Sequence, residues 1–403
     1  MQFRPYQHTI IEEGTKRLSR LRIIMLAMEV RTGKTLTSLG IADRMDISSV
    51  LFITKKKAIS SIEADYNLLN PNYSLKVTNY ESVHKVDKEY DLIIVDESHS
   101  LGAFPKASVR TKRIKEIVGK KYCILLTGTP TPESWSQIFH QFWVSEFTPF
   151  VEKSFYKWAK VYVDVTKKKI NGYDVNDYTA ANQNLIRQKV SKHIISFSQS
   201  EAGFTSKVNE HILHVEMKPT TYKLVKTIEK DRVYEGKNGG VILADTPVKL
   251  MQKVHQLYSG TIKLEDGSSA TIDNSKGVFI KKKFQGKKIG IFYKFKEELK
   301  LLQSVYGEEL TTELDEFNAT NKNIALQIVS GREGISLSKA DYLVYFNIDF
   351  SATSYWQSRD RLTTKERQTN DVYWIFSKGG LEDKIYRQVQ DKKSFTTKHY
   401  ERS

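Results

Sequence analysis

The residues Glu29-Val30-Arg31-Thr32-Gly33-Lys34-Thr35 stand between an apolar run, Ile23–Met28, and a stretch of helical periodicity. Glycine, lysine and threonine at a helix start behind a buried strand are the groups that hold phosphate. Backbone N–H groups bind its oxygens, Lys34 neutralises the β- and γ-phosphates, and the Thr35 hydroxyl ligates magnesium. An ordinary Gly-Lys-Thr loop fits the same letters, because Met28 stands where the complete pattern has its first glycine. Sixty-two residues beyond Lys34, the apolar run Leu92–Val95 ends in Asp96-Glu97-Ser98-His99. Carboxylates at the carboxyl end of a buried strand lie where α/β sheets take ligands. Asp96 then holds magnesium, while Glu97 orients or deprotonates an attacking water. A helix-capping cluster is the competing reading, since Asp and Ser also cap helices. Tyr122–Leu126 ends in Thr127-Gly128-Thr129-Pro130, small hydroxyl residues suited to sensing a γ-phosphate or, alternatively, to a simple turn.

These groups need strands behind them, and the chain supplies short apolar runs at Ile23–Met28, Val50–Ile53, Leu92–Val95 and Cys123–Leu126 with amphipathic stretches between. That rhythm predicts parallel α/β units. It resumes at Ile289–Phe292, Ile324–Val329 and Tyr342–Phe346, with helices expected over Lys294–Tyr306 and Ser354–Leu362, so a second α/β domain is predicted. We expect a first domain over 1–150, a helical and polar insertion or linker over 151–210, and a second domain over 211–403. Asp266-Gly267 marks a hairpin near 261–272. The length of 403 residues suits two domains, and 39% hydrophobic residues suffice for cores. Lys and Arg total 63 against 47 Asp and Glu, a net charge of +16 that favours nucleic acid over acidic small molecules. Cys123 is the single cysteine, which excludes an intrachain disulfide and a Cys-rich zinc site. The first residues lack a long apolar stretch, so no membrane association and a cytoplasmic location, bacterial or phage-infected, are expected.

The order of pieces is more specific than any one of them. Arg4-Pro5-Tyr6-Gln7 is followed by Gly33-Lys34-Thr35, Asn79-Tyr80-Glu81-Ser82, Asp96-Glu97-Ser98-His99 and Leu126-Thr127-Gly128-Thr129-Pro130. Then come Lys288–Phe295, Ser330–Leu337, Gln357-Ser358-Arg359-Asp360-Arg361 and a Gly-Leu-Glu-Asp-Lys-Ile segment from Gly380. This succession resembles the Swi/Snf-type branch of the superfamily-two helicases and translocases, small phage-encoded members included, over nearly the whole chain. The resemblance implies an α/β protein of two RecA-like parallel-sheet domains with an ATP cleft between them, using ATP and magnesium, with DNA lying across both domains. By position, Arg4 and Gln7 would contact the nucleotide, Gln7 reading the adenine, and Arg31, Thr32, Gly33, Lys34 and Thr35 would surround the phosphates. Thr35 and Asp96 would hold the metal. Thr54 and Lys55 would touch the nucleic-acid backbone, and His99, Thr127, Gly128 and Thr129 would couple that surface to the nucleotide. From the second domain, Ser330, Gly331 and Gly334 would face nucleic acid and nucleotide, while Gln357 and Arg361 would complete catalysis across the cleft.

Two positions depart from the family pattern. Arg31 replaces a glycine, so the loop is expected to avoid a backbone geometry that glycine alone takes easily. Thr364 replaces the second motif arginine, leaving Arg361 as the expected finger with Arg359, Lys365 and Arg367 in reserve. Basic clusters at Lys55–Lys57, Lys167–Lys169, Lys281–Lys283 with Lys287-Lys288, and Lys392-Lys393 read equally as phosphate contacts or solvated faces. Of the tryptophans, Trp135 and Trp143 read as core and Trp356 as an interface residue. The expected activity is an ATP- and magnesium-dependent motor on duplex, forked or branched DNA. The alternative, drawn from Arg31 and Thr364, is a nucleotide-gated DNA-binding switch with little turnover.

Overall fold

The computed structural model describes residues 3–86, 89–170, 173–203, 207–236, 239–331, 337–351, 354–355, 358, 362 and 369–391. The chain divides into two compact units, Met1–Phe204 and Thr205–Ser403. Each is built on a six-stranded sheet in which every pair of neighbours is parallel, the α/β architecture expected of RecA-like domains.

Unit 1 contains β1 (Ile23–Met28), β2 (Ser49–Thr54), β3 (Ser74–Asn79), β4 (Leu92–Val95), β5 (Tyr122–Thr127), a β6 (Thr166–Ile170) and β7 (Tyr173–Asp177) hairpin, and β8 (Ile194–Phe197). The main sheet runs β3-β2-β4-β5-β1-β8. Successive side chains of a strand point to opposite faces, and here both faces are covered. Ile23, Met25, Ile93, Val95, Cys123 and Leu125 enter one core with Phe139, Trp158, Ile186 and Val190 from the helices on that side. Their neighbours Ile24, Leu26, Met28, Ile94, Ile124 and Leu126 enter another core. That second face is covered by α1 (Pro5–Leu21), through Ile10, Ile11 and Leu18, and by α2 (Lys34–Asp43), through Leu39, Ile41 and Ala42. Burial on both faces is why β1, β4 and β5 read as continuous apolar runs.

Unit 2 contains β9 (Lys207–Val215), the paired β10 (Val233–Glu235) and β11 (Val241–Leu243), the hairpin of β12 (Thr261–Lys263) and β13 (Ser269–Thr271), then β14 (Ile289–Tyr293), β15 (Leu310–Thr311), β16 (Asn323–Gln327), β17 (Tyr342–Tyr345) and β18 (Thr369–Ser377). Its main sheet runs β15-β16-β14-β17-β18-β9. The expected hairpin is present: Gly267 takes φ +87° at its turn and Asp266 Oδ1 accepts from the Ser268 N–H and hydroxyl. Ile262 is buried, and Leu264, Ala270 and Ile272 pack with it against Val254 and Leu257, so one face of the hairpin is core rather than free surface.

Strand limits differ from the sequence reading at one place of note. The expected strand Ile324–Val329 stops at Gln327, and Ile328–Gly331 is helical. Trp158 and Trp374 are fully buried, and Trp135 and Trp143 pack against the unit 1 core. Among the described residues, no helix is long and apolar enough to cross a membrane.

Candidate nucleotide site

The sheet order of unit 1 brings the three sequence motifs together. β5 lies between β1 and β4, so the loops that leave these three strands are neighbours at one carboxyl edge. The loop after β1 ends at Gly33, the N-cap of α2, with φ +79°. A Cβ on Gly33 would stand 2.6 Å from Gln7 Nε2, so both conformation and space require glycine there. The first turn of α2 offers N–H groups that have no intrahelical acceptor, and Lys34 and Thr35 begin it half-buried.

The loop is held from outside. Gln7 Nε2 donates to the Gly33 carbonyl at 3.3 Å and to the Thr37 hydroxyl at 3.2 Å, while its Oε1 accepts from the Arg4 N–H at 2.9 Å. Gln7 is 3% exposed and both hydrogens of its amide are engaged, so an adenine contact would fall to the second lone pair of Oε1. Arg4 Nη1 donates to the Tyr6 hydroxyl, which donates to the Thr32 carbonyl at 3.1 Å. Gln199, from the turn after β8, donates its side-chain amide to the Val30 carbonyl at 3.0 Å and its backbone N–H to Glu29 Oε2 at 2.8 Å. The buried Thr32 hydroxyl donates to the Glu29 carbonyl at 2.7 Å.

Arg31 takes φ +64°. The expectation that arginine at this position forces the loop away from a glycine-like backbone is therefore corrected: the loop keeps the left-handed geometry, and its surroundings hold an L-residue in it.

The acids follow β4. Asp96 Oδ2 accepts from the Thr54 hydroxyl at 2.8 Å and Oδ1 from the Glu97 N–H at 2.9 Å, and the Tyr80 hydroxyl donates to the Asp96 carbonyl. Thr54 is thus committed to the acid pair through its side chain. Glu97 has φ +50°, a left-handed conformation in a non-glycine residue of the kind found at functional sites. His99 Nδ1 lies 3.2 Å from Glu97 Oε2 and 3.3 Å from the Thr127 hydroxyl. Burial pushes the Asp96 carboxyl up, and the neighbouring Glu97 charge adds to this against the pull of Lys34 and Thr54. Burial alone would raise Glu97 as well, but the His99 contact and the charges of Lys34, His99 and Lys55 hold it below the usual carboxylate range. Two adjacent acids with opposed environments are suited to two roles.

The β5 loop completes the edge. Thr127 Oγ1 accepts from the Thr129 N–H at 3.1 Å, and a Cβ on Gly128 would come within 3.4 Å of the Met28 carbonyl at the start of the loop after β1. Sequence reasoning missed Gln141, which is fully buried and joins two of these loops. Ser98 donates to its Oε1 at 3.1 Å, and its Nε2 donates to the Pro130 carbonyl at 2.6 Å. It also missed Gln199, whose 170-residue separation from Glu29 leaves no spacing signal. Tyr80 was visible as part of a motif but not as a support of Asp96.

Of the remaining expected residues, Lys55 precedes the short helical turn Lys56–Ala58. Ser330 and Gly331 lie in the helical turn after β16. Near them, at the carboxyl edge of the unit 2 sheet, Lys294 pairs with Asp349 at 2.9 Å and Asp349 accepts from Ser354 at 2.7 Å. Gly334, Gln357 and Arg361 lie outside the described residues, as do Trp356, Arg359, Thr364, Lys365, Arg367 and Lys392-Lys393.

The donor set of Thr35 and Asp96 is made of hard oxygens and suits magnesium, which keeps most of its shell for water and phosphate. Among the described residues no group of three or more His, Cys, Asp or Glu could hold a metal ion, as that mode of binding requires none.

Fold and site together define an α/β protein of two parallel-sheet units, the first with a strand, a Gly33-Lys34-Thr35 loop and a helix beside an acid pair. No family model matches the chain, and no curated protein does. Among solved structures it is similar to the SWI2/SNF2 ATPase core of Sulfolobus solfataricus in complex with dsDNA, at 16% identity and a TM-score of 0.44, covering 97% of this chain and 91% of that one. It is also similar to the Sulfolobus solfataricus SWI2/SNF2 ATPase core domain, at 17% identity and a TM-score of 0.41, covering 97% and 89%.

Proposed function

We propose that this chain is an ATP- and magnesium-dependent DNA motor of the Swi/Snf-like superfamily-two kind, coupling hydrolysis to movement on or remodelling of duplex, forked or branched DNA. The observation that carries the reading is the meeting of phosphate loop, Thr127–Thr129 and the Asp96-Glu97 pair on the adjacent strands β1, β5 and β4. In this reading the N–H groups at the start of α2 and the Lys34 ammonium bind the β- and γ-phosphates. Thr35 and Asp96 hold magnesium, which neutralises charge on the phosphate oxygens when bound. Glu97 accepts the proton of the attacking water, and His99, between Glu97 and Thr127, carries the state of the acid pair to the β5 loop. Arg361, with Gln357, supplies the cation for the charge that develops on the transferred phosphoryl group.

DNA as track is supported by the net charge of +16 and by Lys55–Lys57 at the carboxyl end of β2. The switch alternative draws on Arg31 and Thr364; the left-handed Arg31 backbone weighs against the first of these, because the loop keeps the geometry a glycine would give, and Thr364 lies outside the described residues. The test is ATP hydrolysis with no nucleic acid, single-stranded DNA, duplex DNA, a branched junction and RNA, at two salt concentrations. Glu97→Gln serves as blank: it should bind nucleotide yet lose hydrolysis by about a hundredfold or more. Stimulation by a DNA ligand identifies the track, whereas ATP-dependent DNA affinity without stimulated turnover would replace the motor by the switch. Turnover unchanged in Glu97→Gln would mean that another group takes the proton of the attacking water.

A further inference from the structure

We propose that Gln199 is a positioning residue of the phosphate loop, clamping Arg31 in its left-handed conformation; the inference rests on the reading of that loop as a nucleotide site. The peptide groups on both sides of Arg31 are pinned. Gln199 holds the Val30 carbonyl at 3.0 Å, and the Thr32 N–H donates to the Glu29 carbonyl at 3.4 Å; one peptide further on, Tyr6 holds the Thr32 carbonyl at 3.1 Å. In a trans peptide the C=O and the following N–H point in opposite directions. The Glu29–Thr32 bond closes a turn with Arg31 as its third residue, and Gln199 on the Val30 carbonyl fixes which way the central peptide of that turn faces; together they set the backbone of Arg31 at φ +64°.

The Gln199 and Tyr6 contacts are joined to each other. The Tyr6 ring stacks on Phe197 at 4.6 Å, and Phe197 is two residues before Gln199. Gln199 is fixed in turn by its N–H on Glu29 Oε2 at 2.8 Å, and Glu29 by its own N–H on the Phe197 carbonyl at 2.9 Å. An L-residue disfavours this backbone by about five- to thirtyfold relative to a right-handed one. A family glycine would need no clamp, and a chain with arginine at that position does. Gln199 and Arg31 thus form one device, with the arginine tolerated because the glutamine is present.

The test is a double-mutant cycle of Gln199→Ala and Arg31→Gly, read in two ways. Titration with magnesium·ATPγS by calorimetry, with Lys34→Ala as the non-binding control, should show Gln199→Ala weakening binding about five- to tenfold, the worth of one hydrogen bond plus released strain. In the Arg31→Gly background the same substitution should change binding less than about twofold, because glycine takes the conformation unaided. The urea midpoint of the nucleotide-free protein should show the same asymmetry. Gln199→Glu, which keeps the backbone contact but cannot donate to the Val30 carbonyl, should behave as Gln199→Ala. Equal losses in both backgrounds, or none in either, would overturn the clamp and leave Gln199 a structural residue. Coupling in urea together with a wild-type protein that binds no nucleotide would sustain the clamp and overturn the nucleotide reading instead.

Discussion

Gln141→Leu tests whether the acid loop and the β5 loop act as one body. Gln141 has no exposed surface, and its amide bridges Ser98, next to Glu97, and Pro130, next to Thr129. Leucine fills a similar volume but leaves the Ser98 hydroxyl without its acceptor and the Pro130 carbonyl without its donor. Each buried group left unpaired costs about 1–3 kcal/mol. The added apolar burial offsets about 1 kcal/mol, so the two unpaired groups together should cost unit 1 about 1–5 kcal/mol of stability. Loops that shift by a fraction of an ångström also misplace Glu97, and turnover at saturating ATP should fall about tenfold or more. Urea unfolding and phosphate release with duplex DNA read the two effects separately. Gln141→Glu sharpens the test: it keeps an acceptor for Ser98 but sets an oxygen against the Pro130 carbonyl, and should be the more damaging change. If Gln141→Leu unfolds within about 0.5 kcal/mol of wild type and turns over within twofold, the buried amide is not what joins the loops.

Three further outcomes are expected. Gly33→Ala should abolish measurable nucleotide binding and destabilise unit 1 by about 2–4 kcal/mol, since it combines a left-handed alanine with displacement of buried Gln7; unaltered binding in a nucleotide titration would contradict this. In unit 2, a Cβ on Gly380 would stand 2.0 Å from Glu382 Oε2, and Glu382 forms a fully buried ion pair with Lys276 at 2.6 Å. Gly380→Ala should therefore disturb a buried pair and cost about 3–5 kcal/mol by urea unfolding, and a loss under about 1 kcal/mol would show that the carboxylate relocates without consequence. Burial lowers the His140 imidazole to about 4, against the bond to the Ala103 carbonyl and with help from Lys115. The unfolded chain then binds the extra proton, so this stability is present above about pH 6.5 and is lost as pH falls toward 4, at about 1.4 kcal/mol per pH unit. His140→Gln should flatten the unfolding profile of unit 1 in that window, and parallel profiles would remove His140 as the cause.

The strands that position the site were legible because burial on both faces leaves an unbroken apolar run, as in Leu92–Val95 and Cys123–Leu126. Ser74–Asn79 and Ile194–Phe197 were not, because they close the two edges of the sheet and carry polar residues. Lys207–Val215 is likewise an edge strand whose side chains are mostly half-exposed or exposed. The residues that meet phosphate or water in the proposed chemistry declared themselves by type and spacing. Their supports did not, because Gln199 and Gln141 act on backbone carbonyls, and a carbonyl has no letter in the sequence. Arg31 shows the same limit from the other side: its departure from glycine is visible, but the conformation it adopts depends on the turn closed between Glu29 and Thr32 and on a bond from a residue 168 positions later.

The loop proposed to bind phosphate is encoded within the first 35 residues, yet one of its fastenings comes from residue 199 and its strand β1 is flanked on one side by β8. During synthesis at about 5–20 residues per second, roughly ten to thirty seconds separate Thr35 from Gln199. Until β8 arrives, β1 is an open edge with unpaired N–H and C=O groups, a template for pairing with other chains. A ribosome-bound fragment ending near Val190 would have most of unit 1 but neither its closing strand nor its latch. Nucleotide competence should therefore appear late and abruptly as the nascent chain lengthens, and protection of that edge by a chaperone would matter most over this interval.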